Sequence, residues 1–459
     1  MLEKLLGPEI QELIDAKNYG ALRQMMVDIE APDLADIVSD LSPDHTAVIM
    51  RILPRHLAAG VFEYLSLENQ ERVIRTLAQE QVAQLLNDMA PDDRTALLEE
   101  LPAAMTQRML ELLKPEELKV AKTLLGYPEE SVGRRMTPDY RTVQPEWTVQ
   151  RVLEHIRRRG RDSETLNALY VRDQTGRLVD EIRLRNILLS APETIVSDLM
   201  DRQVYSLKAT DDQEVAVEAF KKYNRTALPV TDSDGRMIGI LTVDDVLEVA
   251  EEENTEDIQK LGGMAALETS YLGTGVMGMV RKRAGWLVVL MIGEMLTATA
   301  MTRYEDELAK AVVLAVFIPL IISCGGNSGS QSATLIIRSL ALGELSVKDW
   351  FRVFRQELFS GLILGGILGV VGFCRIALWG SIGHAYGEHW PRLGLTVLIS
   401  LIGVVLWGCL SGALMPLLIK RLGLDPATSS APFVATLVDV TGLIIYFSTA
   451  AMMLHGTLL

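Results

Sequence analysis

Apolar positions occur singly or in short runs up to Arg283, then fuse into long, nearly uncharged runs from Ala284 onward. That change separates a water-facing part from a membrane part. Within the first part an apolar residue returns every twelve positions, at Leu41, Leu53, Leu65, Leu77, Met89, Leu101 and Leu113. A proline often follows it (Pro43, Pro54, Pro91, Pro102, Pro115), where it suits a helix start and not an interior. Twelve residues make one short helix and its turn. The spacing predicts an all-α superhelical domain over residues 1–131, with stacked units from about 20 to 125. Such an array presents surfaces. Its acidic accumulation, Asp88, Asp92 and Asp93, reads by itself as a solvated helix cap.

The pattern then shortens to strand-length runs, and two segments align. Val132-Gly-Arg-Arg-Met136 matches Val196-Ser-Asp-Leu-Met200, and Tyr170-Val-Arg-Asp-Gln-Thr-Gly176 matches Pro229-Val-Thr-Asp-Ser-Asp-Gly235. Each copy reads as helix, strand, Asp-x-x-Gly turn, strand and closing helix, with Gly supplying the positive φ of the turn. These α/β modules, 132–192 and 193–250, resemble a CBS-domain pair, the second most closely through LPVTDSDGRMIGILTVDDVL. The first departs at Asp180-Glu181, where a Gly is usual. The resemblance implies regulation of another module and an adenine nucleotide such as ATP. Tyr170, Arg185 and Pro229 would surround its base and phosphates, and Thr242 and Asp245 its ribose. A pair that binds no nucleotide fits the residues as well, because no Gly-rich phosphate loop is present.

A connector, 251–280, follows. From Asp244 to Asp257 the chain carries eight carboxylates in fourteen residues, while Val246, Leu247, Val249, Ala250, Ile258 and Leu261 keep helical spacing. The segment reads as a helix running toward the membrane. Carboxylates packed this closely repel one another, and they are oxygen ligands for hard divalent cations. Cation binding would remove the repulsion, which suggests a gate.

The all-α transmembrane domain, 281–459, is expected to contain five spans: 284–303, 310–338, 358–380, 391–418 and 429–454. The second is expected to be broken by CGGNSGSQS. Basic residues flank alternate ends of the spans: Arg281-Lys282-Arg283; Arg338, Lys348, Arg352 and Arg355; Lys420 and Arg421. The positive-inside rule puts these and the N-terminus in the cytoplasm, and five spans leave the C-terminus outside. Asp439 lies near mid-membrane with no basic residue in its span. An ionisable group there reads as lining an ion path, with a protonated or hydrogen-bonded structural carboxylate as the alternative, and a dimer would bring two copies to one axis. Pro432 is expected to free carbonyls near Ala435. Asn327, Ser328 and Gln331 offer neutral oxygens, and Gly325, Gly326 and Gly329 permit close backbone approach. Glu294, in the first span, reads as less central, paired or snorkelling.

Composition and motifs add four exclusions. The net charge of −16 argues against a nucleic-acid partner, which needs a basic face. Cys324, Cys374 and Cys409 have neither disulfide nor metal-ligand spacing. No HExxH motif occurs in a span, and His384 and His389 fall in a loop, so transport is expected and not catalysis. The N-terminus lacks the apolar region of a signal peptide.

The order of parts, with GGNSGSQSATLIIRSLALGEL and PFVATLVDVTGL, resembles the MgtE family of Mg²⁺ channels over essentially the whole chain. The resemblance implies Mg²⁺ uptake across the inner membrane, a homodimer with a central pore, and a plug helix that closes it when cytoplasmic Mg²⁺ is high. It assigns the pore carboxylate to Asp439 and a partner carbonyl to Ala435. It assigns regulatory Mg²⁺ ligands to Glu253, Glu256, Asp257, Asp425, Asp245 and Glu248, with Asp88 and Asp92 in the helical array and Gly133 and Asn224 in the CBS pair. Asn224 stands where an Asp ligand can occur, and Ala431 where the family can show Asn. The alternatives are a broader divalent-cation (Mn²⁺, Co²⁺) transporter and a CBS-regulated membrane sensor without transport.

Overall fold

The computed structural model describes residues 2–267, 271, 274–305, 312–383, 386 and 389–454. His384, much of the loop after the first span, and the C-terminal end therefore lie outside the described residues. The chain divides into two compact units, Met1–Glu253 and Asn254–Leu459.

The first unit opens with short helices from Leu2–Asp15 to Pro115–Leu124. The twelve-residue repeat is visible in their ends. Leu53, Leu77, Met89 and Leu101 each close a helix by donating the backbone N–H to the carbonyl four residues earlier, at 3.0–3.2 Å. Each then turns to extended backbone, which starts the next helix at a new angle. Pro43, Pro91 and Pro115 begin the helices that follow, where the missing N–H costs nothing. The repeated side chains enter one continuous apolar core.

Two three-stranded sheets follow, β1 (Thr142–Val143), β2 (Ala168–Arg172) and β3 (Leu178–Arg183), then β4 (Leu207–Lys208), β5 (Ala227–Thr231) and β6 (Met237–Thr242). In each, the first pairing is parallel and the second antiparallel. The Asp-x-x-Gly turns behave as expected. Asp173 Oδ1 accepts from the N–H of Thr175 and Arg177, and Asp232 Oδ1 from those of Asp234 and Arg236, at 2.8–2.9 Å. Gly176 and Gly235 take φ of +85° and +78°. The two hairpins lie side by side, with Leu178 N–H donating to Gly235 O and Met237 N–H to Gly176 O.

Among its described residues the second unit contains five helices long and apolar enough to cross a membrane: Val276–Arg303, Val312–Ala341, Val347–Ile382, Trp390–Arg421 and Ala431–Leu454. The multidomain fold class expected from the sequence is the one observed. One expectation fails: the second span is not broken at CGGNSGSQS, because Ile318–Ala341 is a continuous helix. The close backbone approach expected of its glycines is present. A Cβ at Gly408 of the fourth span would lie 2.5 Å from the Gly325 carbonyl oxygen, and one at Gly329 would lie 3.1 Å from that of Gly408. Backbones this close exclude any side chain, and small residues four apart are how membrane helices achieve it. Pro432 likewise breaks nothing. It lies in the first turn of the fifth span, where its missing N–H has no intrahelical partner to lose.

Gly408→Val should force these helices apart at a cost of about 1–3 kcal/mol or more. Thermal melting of the detergent-solubilised protein, read by size-exclusion chromatography, is expected to show a lower midpoint. Gly366→Val, where a Cβ meets nothing within 4 Å, should leave it nearly unchanged. Equal midpoints for both variants would remove this account of the glycines.

Candidate functional site

In the first unit, carboxylates far apart in sequence gather near the start of the helix Pro91–Glu100. Asp92 and Asp93 occupy its first turn. A helix N-terminus favours anions, yet burial dominates here. Asp92 is 7% exposed, and its Oδ1 is buried with no hydrogen-bond partner among the described residues. Burial, then the charges of Asp245, Asp93 and Glu164, push its pKa well above the carboxylate range. Burial, with Glu63, Asp245, Glu248 and Glu164, pushes Asp93 up to about 8. Asp245 is pushed up to about 7, chiefly by burial, although Thr242 donates to it through both hydroxyl and backbone N–H. Glu63 and Glu164 are raised for the same reason, burial first. Asp88, by contrast, ends the preceding helix and is exposed.

The acidic connector forms the single helix Val243–Leu261. Its residues to Glu253 belong to the first unit. There Glu252 pairs with Arg135 at 2.5 Å, and Gln213 Nε2 donates to Glu253 Oε1 at 2.6 Å while its Oε1 accepts from Arg135. Glu248 is raised by burial and by Glu252, with Arg135 opposing. Gly133 and Asn224 have structural duties. A Cβ at Gly133 would meet the Tyr127 ring at 2.6 Å and the Ala209 carbonyl oxygen at 2.8 Å. Asn224 caps the helix Gln213–Tyr223 in the left-handed conformation, φ +49°, which Asn tolerates better than most residues.

Folded Asp93 and Asp245 titrate near 8 and 7 instead of near 3.8. Between those values the folded state holds more protons than the unfolded one, so stability falls as pH rises. Thermal melts of a fragment ending at residue 261, in EDTA, should therefore show midpoints that drop steadily from pH 5 to pH 8.5. A rising or flat profile would contradict the buried placement of these groups.

At the nucleotide positions, Tyr170 is 1% exposed, packs edge-on against Tyr140 at 6.5 Å, and leaves its hydroxyl unpartnered among the described residues. It shares a cluster with Ile240, whose register partner on β5 is Pro229. Arg185 is exposed. The departure at Asp180-Glu181 is absorbed locally. Asp180 accepts from the N–H of Glu181 and of Arg202, and Glu181 faces Arg225 at 3.6 Å.

In the second unit, Asp439 and Ala435 lie alongside the second span. A Cβ at Gly326 would stand 3.6 Å from Asp439 Oδ1 and 3.5 Å from Ala435 Cβ. The neighbouring Asn327 belongs to an exposed polar stripe with Ser323, Gln331 and Thr334, at helical spacing, and Asn327 Nδ2 donates to Ser323 Oγ at 3.3 Å. A Cβ at Gly293, next to Glu294, would meet Thr436 Cγ2 at 2.7 Å, and the Glu294 carboxylate lies within electrostatic reach of Asp439. Near the end of the connecting helix, Lys260 Nζ donates to Glu256 Oε1 at 2.7 Å and Asp425 Oδ2 at 2.8 Å. Asp425 also accepts from Ala427 N–H at 2.8 Å, which fixes the turn between the fourth and fifth spans. Asp257 is raised by burial and then by Asp425, with Lys260 opposing.

Sequence reasoning passed over Lys260, Arg135, Glu63 and Glu164. For Lys260 a signal existed, the i, i+4 spacing from Glu256. For the others the partners are brought together only by folding. Among the described residues no three His, Cys, Asp or Glu side chains converge as a ready-made metal site. The clusters are electrostatic, with carboxylates near but not closed on one point.

Residues 318–449 match the family model for MgtE, a divalent cation transporter; residues 29–130 match the MgtE intracellular N domain; and 130–193 and 196–252 match the CBS domain. The magnesium transporter MgtE of Thermus thermophilus is 37% identical over 458 residues, 99% of this chain and 100% of that protein. The magnesium transporter MgtE of Enterococcus faecalis is 32% identical over 74% of this chain and 73% of its own length. Among solved structures, the cytosolic domain of the Mg²⁺ channel MgtE in complex with ATP superposes with a TM-score of 0.51 at 34% identity, covering 53% of this chain and 100% of that one. The soluble part of a magnesium transporter gives 0.52 at 25% identity, covering 55% and 99%. The chain is a multi-pass membrane protein and belongs to the MgtE family of divalent cation transporters.

Proposed function

We propose that this chain is a Mg²⁺ channel or transporter of the inner membrane. It works as a homodimer with its N-terminal domains in the cytoplasm and its C-terminus outside, and cytoplasmic Mg²⁺ closes it. The observation that carries the reading is the stripe Ser323, Asn327, Gln331 and Thr334, exposed on a membrane helix beside Asp439. Polar groups do not face lipid without cost. A second copy that covers the stripe would enclose a wet path with a carboxylate from each side. Amide and hydroxyl oxygens with few carboxylates suit an ion that keeps much of its water, as Mg²⁺ does.

Regulation is assigned to the two acidic clusters. The orphaned Asp92 Oδ1 and the mutually repelling Asp93, Asp245 and Glu248 are a donor set that fits a hard cation. Glu256, Asp257 and Asp425 are a second. A divalent cation bound there supplies the positive charge that lets carboxylates approach. The residues themselves hold the helices apart when ionised and unneutralised. Nucleotide at the CBS pair, around Tyr170, Arg185, Pro229 and Thr242, is favoured by the likeness to a cytosolic domain solved with ATP. Calorimetric titration of ATP into the same fragment tests it directly.

Uptake into proteoliposomes tests the transport reading. Purified protein is expected to carry Mg²⁺ when the sensor side is kept low in Mg²⁺, and to stop when it is raised. Transport of Mn²⁺ and Co²⁺ at equal rates would favour the broader divalent carrier. No flux with the sensor side emptied would favour a sensor without transport.

A further inference from the structure

The ammonium of Lys260 already sits where the second regulatory cation is assigned. It bonds Glu256 at 2.7 Å and Asp425 at 2.8 Å, and Asp257 feels its charge. The three carboxylates come from two separate elements, the connecting helix and the turn between the fourth and fifth spans. Without a cation among them they would repel. A lysine ammonium carries its charge at physiological pH. The Lys260 side chain is 28% exposed, so a path to water is open on a long flexible stem.

We propose that Lys260 is a tethered cation that occupies the carboxylates of Glu256, Asp257 and Asp425 in the ion-free protein and competes there with the divalent cation, so that its charge sets the affinity of the set. This rests on the regulatory reading of those three carboxylates given above. With Lys260 in place three carboxylates present a net charge of about −2; with it gone, about −3. An incoming dication must displace the ammonium, which then turns to solvent. The displacement weakens the apparent affinity and keeps the set vacant until the cation is abundant. A lysine suits this task better than an arginine. It is a compact point charge with no fork to lock onto a carboxylate.

The test is the binding of Mn²⁺ to the full-length protein, read by loss of the free-ion paramagnetic signal, with Mg²⁺ as competitor. Asp425→Asn identifies the part of the isotherm that belongs to this set. Lys260→Met, which keeps an unbranched stem one atom shorter and drops the charge, is expected to tighten that part by on the order of tenfold. Lys260→Gln should tighten it similarly, and Lys260→Arg should not. If Asp425→Asn removes a binding component but neither neutral variant tightens it, Lys260 does not compete, and the inference is overturned while the regulatory reading stands. If Asp425→Asn leaves the isotherm unchanged, the regulatory reading of these carboxylates fails first.

Discussion

Asp439→Ala should lower Mg²⁺ flux into proteoliposomes by about a hundredfold while the protein still assembles. The carboxylate stands in the fifth span beside Gly326, with Ala435 one turn away and Glu294 within electrostatic reach. A dication passing about 5 Å from it, at an effective dielectric constant of about 40, gains on the order of 3 kcal/mol. That is about two tenfold steps in affinity. Asp439→Asn should lose most of the same effect, because the charge matters more than the shape. Flux is measured with the sensor side low in Mg²⁺, and assembly by size-exclusion chromatography. If either variant conducts like the unmodified protein, Asp439 is a structural carboxylate and the ion path runs elsewhere. Glu294→Gln should reduce flux less than Asp439→Asn does, because Glu294 stands on the more exposed first span.

Neutralising Glu256, Asp257 and Asp425 together should leave the transporter open at Mg²⁺ concentrations that close the unmodified protein. Lys260 holds Glu256 and Asp425 at 2.7 and 2.8 Å. A single ammonium cannot offset three charges, and Asp257 remains raised by burial and by Asp425. The amides Gln and Asn keep the size of each side chain and remove the ligand charge for a divalent cation. The concentration of Mg²⁺ that halves the flux should rise by at least about tenfold, a change of roughly 1.4 kcal/mol. Fluxes across a Mg²⁺ series on the sensor side measure it. An unchanged half-closing concentration would place the control wholly in the cluster around Asp92 and Asp93. Fold loss is not expected to confuse the result, because these side chains lie outside the apolar cores.

Much of the architecture was legible because the signals were local. The twelve-residue return of Leu and Met marks helix ends, and those ends are where the backbone leaves the helix and the side chain enters the core. The Asp-x-x-Gly turns announced both hairpins, because the side chain of Asp173 or Asp232 and a glycine with positive φ make the turn by themselves. Five long apolar runs became five long helices, since hydrocarbon leaves the backbone no other partner.

The break expected in the second span did not form, for the opposite reason. In isolation a Gly-rich run weakens a helix. Against Gly408 of the fourth span it lets two backbones approach to a distance no other residue permits. Pro432 was expected to free carbonyls near Ala435, but its effect depends on which turn of the helix it occupies. Sequence alone thus determined the number and kind of the elements and the carboxylates available to bind cations. Only the tertiary structure decided which carboxylates meet. Asp92 is buried against Asp245 across 153 residues, Glu294 is brought to Asp439, and the ammonium of Lys260 is set between Glu256 and Asp425. Charge acts through space, and burial sets its strength, so neither is written in the spacing along the chain.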